Sequence, residues 1–168
     1  VPVVRAAEQR RRIEAMTWGL LPSWAKDATG VKPINARVET VFDKPMFRNA
    51  IKRRRCLVPA DGFYEWRGPR GLRQPFHLAL PGTALFAMAA IWELTETADG
   101  ESLESLAIVT TAAAPNVAEL HDRMPLIVDP AGYAAWLRTA SRSASSPRRT
   151  SLDRSPCRHH RAESVECR

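Results

Sequence analysis

Up to about residue 137, the apolar residues of this chain fall into short runs punctuated by Gly, Pro and polar clusters. That pattern predicts strands with interspersed short helices. Val1–Arg5 and Ile13–Leu20 read as strands, and Trp18-Gly19 and Leu21-Pro22-Ser23 then break the alternation. Asp43 is placed to cap a helix with Pro45 in its first turn, where a missing amide donor costs nothing; Phe47 and Ile51 lie four apart on it. Cys56–Pro59 and Phe63–Trp66 read as strands on either side of a turn at Asp61-Gly62. Phe76–Leu80, Phe86–Ile91 and Leu106–Thr110 are further β-favouring runs, divided by Pro81-Gly82 and a polar Glu96–Ser105 loop. Pro115 starts a short helix through Leu120, and Pro130 another through about Leu137.

Beyond that point the periodicity stops. Ser141–Arg168 is dominated by Ser, Arg, Pro and His, too little apolar area to offset the entropy of ordering, so residues 138–168 are expected to be a disordered tail. The remaining 1–137 segment predicts one α+β domain with a mostly antiparallel sheet. No apolar run approaches the ~18 residues of a membrane span, and no secretory or transit signal is visible. Three cysteines at unrelated spacings form no disulfide framework, which points to a reducing, cytoplasmic setting and a monomer.

The formal charge of +7 divides unevenly. Residues 1–137 hold 17 Lys/Arg against 15 Asp/Glu, whereas 138–168 hold 8 Arg against 3 acids. Within the domain, Arg10-Arg11-Arg12 and Lys52-Arg53-Arg54-Arg55 are compact cationic runs of a kind that faces phosphate or simply solvent.

Three clusters carry candidate chemistry: Asn35-Ala36-Arg37-Val38-Glu39-Thr40, Gly62-Phe63-Tyr64-Glu65-Trp66 and His121-Asp122-Arg123-Met124-Pro125. A carboxylate among Phe63, Tyr64 and Trp66 has a surround that raises its pKa towards the range useful for proton transfer. Strand alternation puts Glu65 on the face of Phe63, opposite Tyr64 and Trp66. Pro125 forces Met124 into an extended conformation, which suits a reaching loop.

With Met16-Thr17-Trp18-Gly19-Leu20-Leu21-Pro22-Ser23-Trp24 and the run Arg55-Cys56-Leu57-Val58-Pro59-Ala60-Asp61 before Gly62, these motifs resemble the SRAP family. These are SOS-response-associated peptidase-like proteins that process abasic sites in single-stranded DNA. The resemblance covers Val1 to about Leu137. It implies an α+β domain whose sheet curls into a barrel-like core beside a positively charged DNA cleft. It assigns catalytic roles to Glu65 (acid/base), Asn35 (orienting the opened sugar) and His121 (proton transfer). Arg37 and Arg123 would hold phosphate, and Met124 would lie with them at the DNA. Trp18 and Trp66 are either core residues or faces for unpaired bases, whereas Trp24 and Trp92 are expected in the core.

The family's covalent chemistry is a thiazolidine formed by an N-terminal cysteine. Because the chain begins at Val1, that Cys-Gly-Arg segment would lie upstream, and these 168 residues are expected to form no denaturant-resistant adduct. Cys56 starts an apolar strand and is expected to be a buried, inert thiol rather than a substitute nucleophile. No metal or cofactor is expected, since the Cys157-Arg158-His159-His160 and Cys167 spacing fits no standard zinc pattern. Abasic-site processing leads, with a noncovalent single-stranded-DNA-binding module or an inactive gene fragment as the alternative. A cysteine-type peptidase is weaker.

Overall fold

The computed structural model describes residues 1–7, 10–25, 30–69, 71–138 and 163–166. Strands β1 (Pro2–Ala7), β2 (Arg10–Ala15), β3 (Thr17–Trp18) and β4 (Asn35–Arg37) precede helix α1 (Arg48–Arg53). Then come β5 (Arg55–Ala60), β6 (Phe63–Arg67), β7 (Gln74–Ala79), β8 (Phe86–Glu96) and β9 (Ser102–Ala112). Helix α2 (Pro115–Ala118), β10 (Arg123–Pro125), β11 (Ile127–Val128), a 3-10 turn (Pro130–Gly132), α3 (Tyr133–Leu137) and β12 (Glu163–Glu166) complete the described chain. The α+β, mostly antiparallel reading holds, but the sheet is open rather than a closed barrel, and β3 and β4 run parallel to β9. Residues 139–162 and 167–168 of the tail lie outside the described residues; at Glu163–Glu166 the backbone pairs antiparallel with β7.

The main sheet runs β10-β9-β8-β5-β1-β2, and β8 is its spine. Ala89 and Ile91 point to the side covered by Phe47, Ala50 and Ile51 of the α1 segment. Met88 and Ala90 point to the other, with Val3, Cys56, Val58 and Leu106. A strand buried on both faces needs an unbroken apolar run, which is why Phe86–Ile91 shows no alternation. Helix α3 adds a third cluster, in which Leu137 meets Leu57 and Ala87.

β8 and β9 pair from Ala90↔Ile108 to Glu96↔Ser102 and then splay apart. The gap is filled by the segment 123–128: β10 pairs β9 at Thr110–Ala112, and β11 pairs β8 at Ala87–Met88. Between them the Leu126 peptide bridges both strands, its N–H donating to the Val109 carbonyl and its carbonyl accepting from the Ala89 N–H, each at 2.8 Å.

Several boundaries differ from the sequence expectation. The Ile13–Leu20 strand is instead β2 plus the short β3, interrupted at Met16, and it ends at Gly19 with φ +114°. The helix expected from Asp43 begins only at Arg48, with Phe47 as its N-cap and no side-chain capping bond. A following proline disfavours the α region for the residue before it, and residues 40–47 form successive turns (Asp43 N–H to Thr40 O, Phe47 N–H to Lys44 O) before the regular ladder starts. β8 and β9 extend into half of the expected 96–105 loop. Only a tight turn at 97–101 remains, closed by Thr97 N–H to Glu101 O, with Gly100 at φ +82°.

In the smaller sheet, β6 pairs β7 antiparallel, with Phe63↔Leu78, Tyr64↔His77 and Glu65↔Phe76. Gly62 enters β6 directly against the His77 ring, and a Cβ there would stand 2.8 Å from the Leu78 carbonyl oxygen. Backbone cannot yield as a side-chain tip does, so Gly62→Ala should destabilise the protein by about 1–3 kcal/mol. Urea unfolding measures this, and a variant as stable as wild type would contradict the close approach.

Candidate active site

The three sequence clusters converge at the open end of the β8–β9 fork. β4 lies along one side of β9, with Asn35↔Ile108 and Arg37↔Thr110; β10 lies along the other, with Arg123↔Ala112. The Arg123 side chain crosses β9 between them. Its Nη1 and Nη2 donate to Glu39 Oε1 and Oε2 at 2.8 and 2.9 Å, and Nη2 also donates to the Thr110 carbonyl at 2.7 Å. A bidentate pair with a third backbone anchor is geometrically specific. Glu39 is correspondingly held below the usual carboxylate range, chiefly by the Arg123 hydrogen bonds.

His121 stands two residues before Arg123, at the end of the α2 turn, where its N–H donates to the Val117 carbonyl. The Arg123 N–H donates to His121 Nδ1 at 3.0 Å, which makes Nδ1 an acceptor and leaves the proton of the neutral ring on Nε2. The Arg123 carbonyl at 3.2 Å and Asp122 Oδ1 at 3.4 Å also lie close to Nδ1. On the facing side, Glu65 Oε1 lies 4.0 Å from Nδ1. The Glu65 side chain is only 19% exposed, against 49% for His121. Burial pushes the Glu65 carboxyl above the usual range; the nearby His121 opposes that and Asp122 adds to it. Glu65 shares the inward face of β6 with half-buried Phe63, and Tyr64 and Trp66 point outward, as strand alternation predicts.

The other expected site residues lie as follows. Asn35 and Arg37 are exposed on β4. Trp18 is half exposed, with its indole N–H donating to the Ile34 carbonyl at 2.8 Å, which fixes the ring beside Asn35. Trp66 is half exposed on the β6 face opposite Glu65, its ring 6.5 Å from that of Tyr64. Arg123 has both terminal nitrogens committed to Glu39, and Met124 accepts the Ala114 N–H at its sulfur at 3.3 Å, so both hold the loop in place.

Trp24 is a correction. Expected in the core, it is 62% exposed, because Leu20 and Leu21 take the buried positions of its loop and Trp24 falls in the turn after Pro22. Trp92 is partly buried and packs against the core, with the Arg5 and Arg54 guanidiniums 4.5 and 5.8 Å from its ring. Sequence reading missed Glu39, whose partner is 84 residues away.

Cys56 is fully buried, and desolvation pushes its thiol up to about 12. Among the described residues no group of three or more His, Cys, Asp and Glu could hold a metal ion; the Cys157–His160 and Cys167 group lies outside them.

The architecture is thus an α+β domain presenting a half-buried carboxyl beside a more exposed imidazole where three separated segments meet. The model of the SOS response associated peptidase (SRAP) family matches residues 1–167, and the chain belongs to that family. It is similar to the abasic site processing protein YoqW of Bacillus subtilis, at 40% identity over 75% of this chain and 57% of that protein. YoaM of the same organism is 40% identical over 79% of this chain and 59% of its own. The Xenopus tropicalis abasic site processing protein HMCES is 31% identical over 74% of this chain and 44% of its own. The chain therefore spans little more than half the length of the Bacillus relatives. A solved protein from Bacteroides thetaiotaomicron superposes with TM-score 0.77 at 29% identity, over 83% of this chain and 63% of that one.

Two outcomes follow from the electrostatics. Because the folded-state pKa of Glu65 is raised, the folded protein binds that proton more tightly than the unfolded chain does. The associated stability is present at low pH and lost as pH rises through the folded-state pKa. Glu65→Gln cannot titrate, so its stability relative to wild type should increase with pH when urea unfolding is followed from about pH 4 to about pH 8. A flat or falling difference would contradict the burial. Separately, Cys56 should resist iodoacetamide in the native protein at about pH 8 and react in denaturant, as read by peptide mapping. Prompt native labelling at that residue would show its thiol accessible.

Proposed function

We propose that this domain processes abasic sites in single-stranded DNA, with Glu65 and His121 moving protons at the lesion sugar. The observation carrying this reading is the half-buried Glu65, its pKa raised, 4.0 Å from His121 where the three motif segments meet. An abasic sugar is a cyclic hemiacetal. Opening it to the aldehyde requires one proton removed from its anomeric hydroxyl and one delivered to its ring oxygen, the work of a paired acid and base. Asn35 is the amide suited to orient the opened sugar, and Arg37, exposed and two residues along the same strand, is suited to a phosphate. Trp18 and Trp66, with Trp24, offer faces on which unpaired bases stack, worth ~1–3 kcal/mol each.

Cys56 does not serve as nucleophile in this scheme, because its amine is in the chain and its thiol is buried and protonated. The same observation weighs against a cysteine-peptidase reading through that residue. We place the protein in the cytoplasm as a monomer. The free Cys56 accords with a reducing setting.

The test compares oligonucleotides with and without one abasic site, using wild type, Glu65→Gln and Arg37→Ala. Wild type should prefer the abasic strand. Glu65→Gln should keep its affinity within about twofold while conversion of the abasic sugar, followed by aldehyde trapping and denaturing gel, slows by about 100-fold or more. Arg37→Ala should weaken binding and reduce the salt slope by about 0.7. Equal conversion by Glu65→Gln removes that residue from the chemistry. Equal affinity for intact and abasic strands would leave a noncovalent binding module instead.

A further inference from the structure

The two cationic runs, 40 residues apart in sequence, meet in the fold. β1 lies between β2 and β5: Arg5 pairs Arg12 on one side and Cys56 on the other, and Ala6 pairs Arg11. Continuing that register puts Arg11 and Arg55 on one row, two strand spacings (~10 Å) apart and on the same face of the sheet. Lys52 and Arg53, exposed in the last turn of α1, lead directly into that row. Arg138 joins it, its carbonyl accepting from Arg55 Nη2 and its charge helping, after burial, to lower the Arg55 pKa.

Among the described residues, no acid neutralises the charge of this row. Arg5 and Arg54, the inner members, are held by Glu14 and Glu104 and by Glu93 respectively. Among the described residues, no carboxylate pairs with Arg10, Arg11, Arg12, Lys52, Arg53 or Arg138. Among the described residues, the corner also presents no exposed aromatic ring. Trp92 is stacked against Arg5 and Arg54, and Trp136 lies under Arg55 with its N–H on the Cys56 carbonyl. Charge without a stacking platform contacts phosphates and does not read bases.

We infer that Arg11 on β2, with Lys52 and Arg53 at the end of α1 and Arg138 after α3, forms a second phosphate-backbone surface, which holds DNA flanking the nucleotide bound at Glu65 and His121. This rests on the reading above. The five residue steps of β5 from Arg55 to Ala60 rise ~17 Å, and the four spacings from β9 to β2 add ~19 Å sideways, so the surface lies ~25 Å from the fork. That is roughly seven nucleotides at 3.4 Å each, within reach of the same strand.

Binding of the full chain and of the fourfold variant R11Q/K52Q/R53Q/R138Q is compared on a 5-mer and a 21-mer, each with and without a central abasic site. The variant should match wild type on the abasic 5-mer within about twofold. On the 21-mer it should bind about tenfold or more weakly, with the salt slope reduced by about 0.7 for each phosphate no longer neutralised. Equal losses on both lengths, or none on either, would overturn the surface. So would polyglutamate competing as well as DNA of equal charge. The 5-mer also reports folding; if the fourfold variant fails to bind it, R11Q and R53Q singly carry the same length comparison. Wild type that ignores the abasic site but keeps the length effect would sink the processing function and leave this surface standing.

Discussion

The Leu126 peptide, shared between Ala89 and Val109, is the contact on which the site depends. Where β8 and β9 separate, each would expose a buried backbone group, and an unsatisfied one costs about 1–3 kcal/mol. A single inserted residue satisfies both. That insertion fixes the chain on either side of it: β10 is registered on β9 and β11 on β8, and the His121–Arg123 turn is carried to the mouth of the fork. Ala87, Ala89 and Ala107 supply the small side chains that let three backbones lie so close.

Arg123 extends the same constraint across β9. Surface ion pairs contribute little when two flexible chains meet in water, but Arg123 is mostly buried, bidentate on Glu39 and anchored on the Thr110 carbonyl. Its backbone N–H then orients His121. One residue thus couples the β4 motif to the imidazole, and the imidazole faces Glu65 of the third motif. The fork end of the sheet is consequently paired and nearly balanced in charge, while the β2–α1 corner is not.

Much of this was legible in the sequence because the functional side chains cluster within short segments. Alternation alone placed Glu65 beside Phe63 and away from Tyr64 and Trp66, and the apolar run at Phe86–Ile91 marked the spine. What failed was long-range or compositional. Glu39 looks like an ordinary surface acid until Arg123 is brought to it. The strand expected over Phe86–Ile91 stops short and a loop is expected at Glu96–Ser105 because Glu93, Thr95 and Ser105 are polar, yet all three are buried with partners: Arg54 on Glu93, the Leu21 carbonyl on Thr95 and the Leu21 N–H on Ser105. Asp43 carries a capping signal, but Pro45 disfavours the α region at Lys44 and the helix begins only at Arg48.

Those buried polar groups explain why Trp18 and Trp24 remain in water. Leu21 is held at both its N–H and its carbonyl, each at 2.8 Å, and Gly19 donates to the Leu106 carbonyl at 2.9 Å, so the loop cannot rotate to bury its indoles. Leu20 and Leu21 already fill the space beneath. Burying a large side chain is worth roughly 1.5–3 kcal/mol, and a loop pinned by two buried side chains forgoes that gain twice. The Trp18 indole, held outward by its bond to the Ile34 carbonyl, keeps a flat apolar face beside the strand that carries the exposed Arg37. Those are the two interactions an unpaired nucleotide offers to meet: stacking at its base and charge at its phosphate.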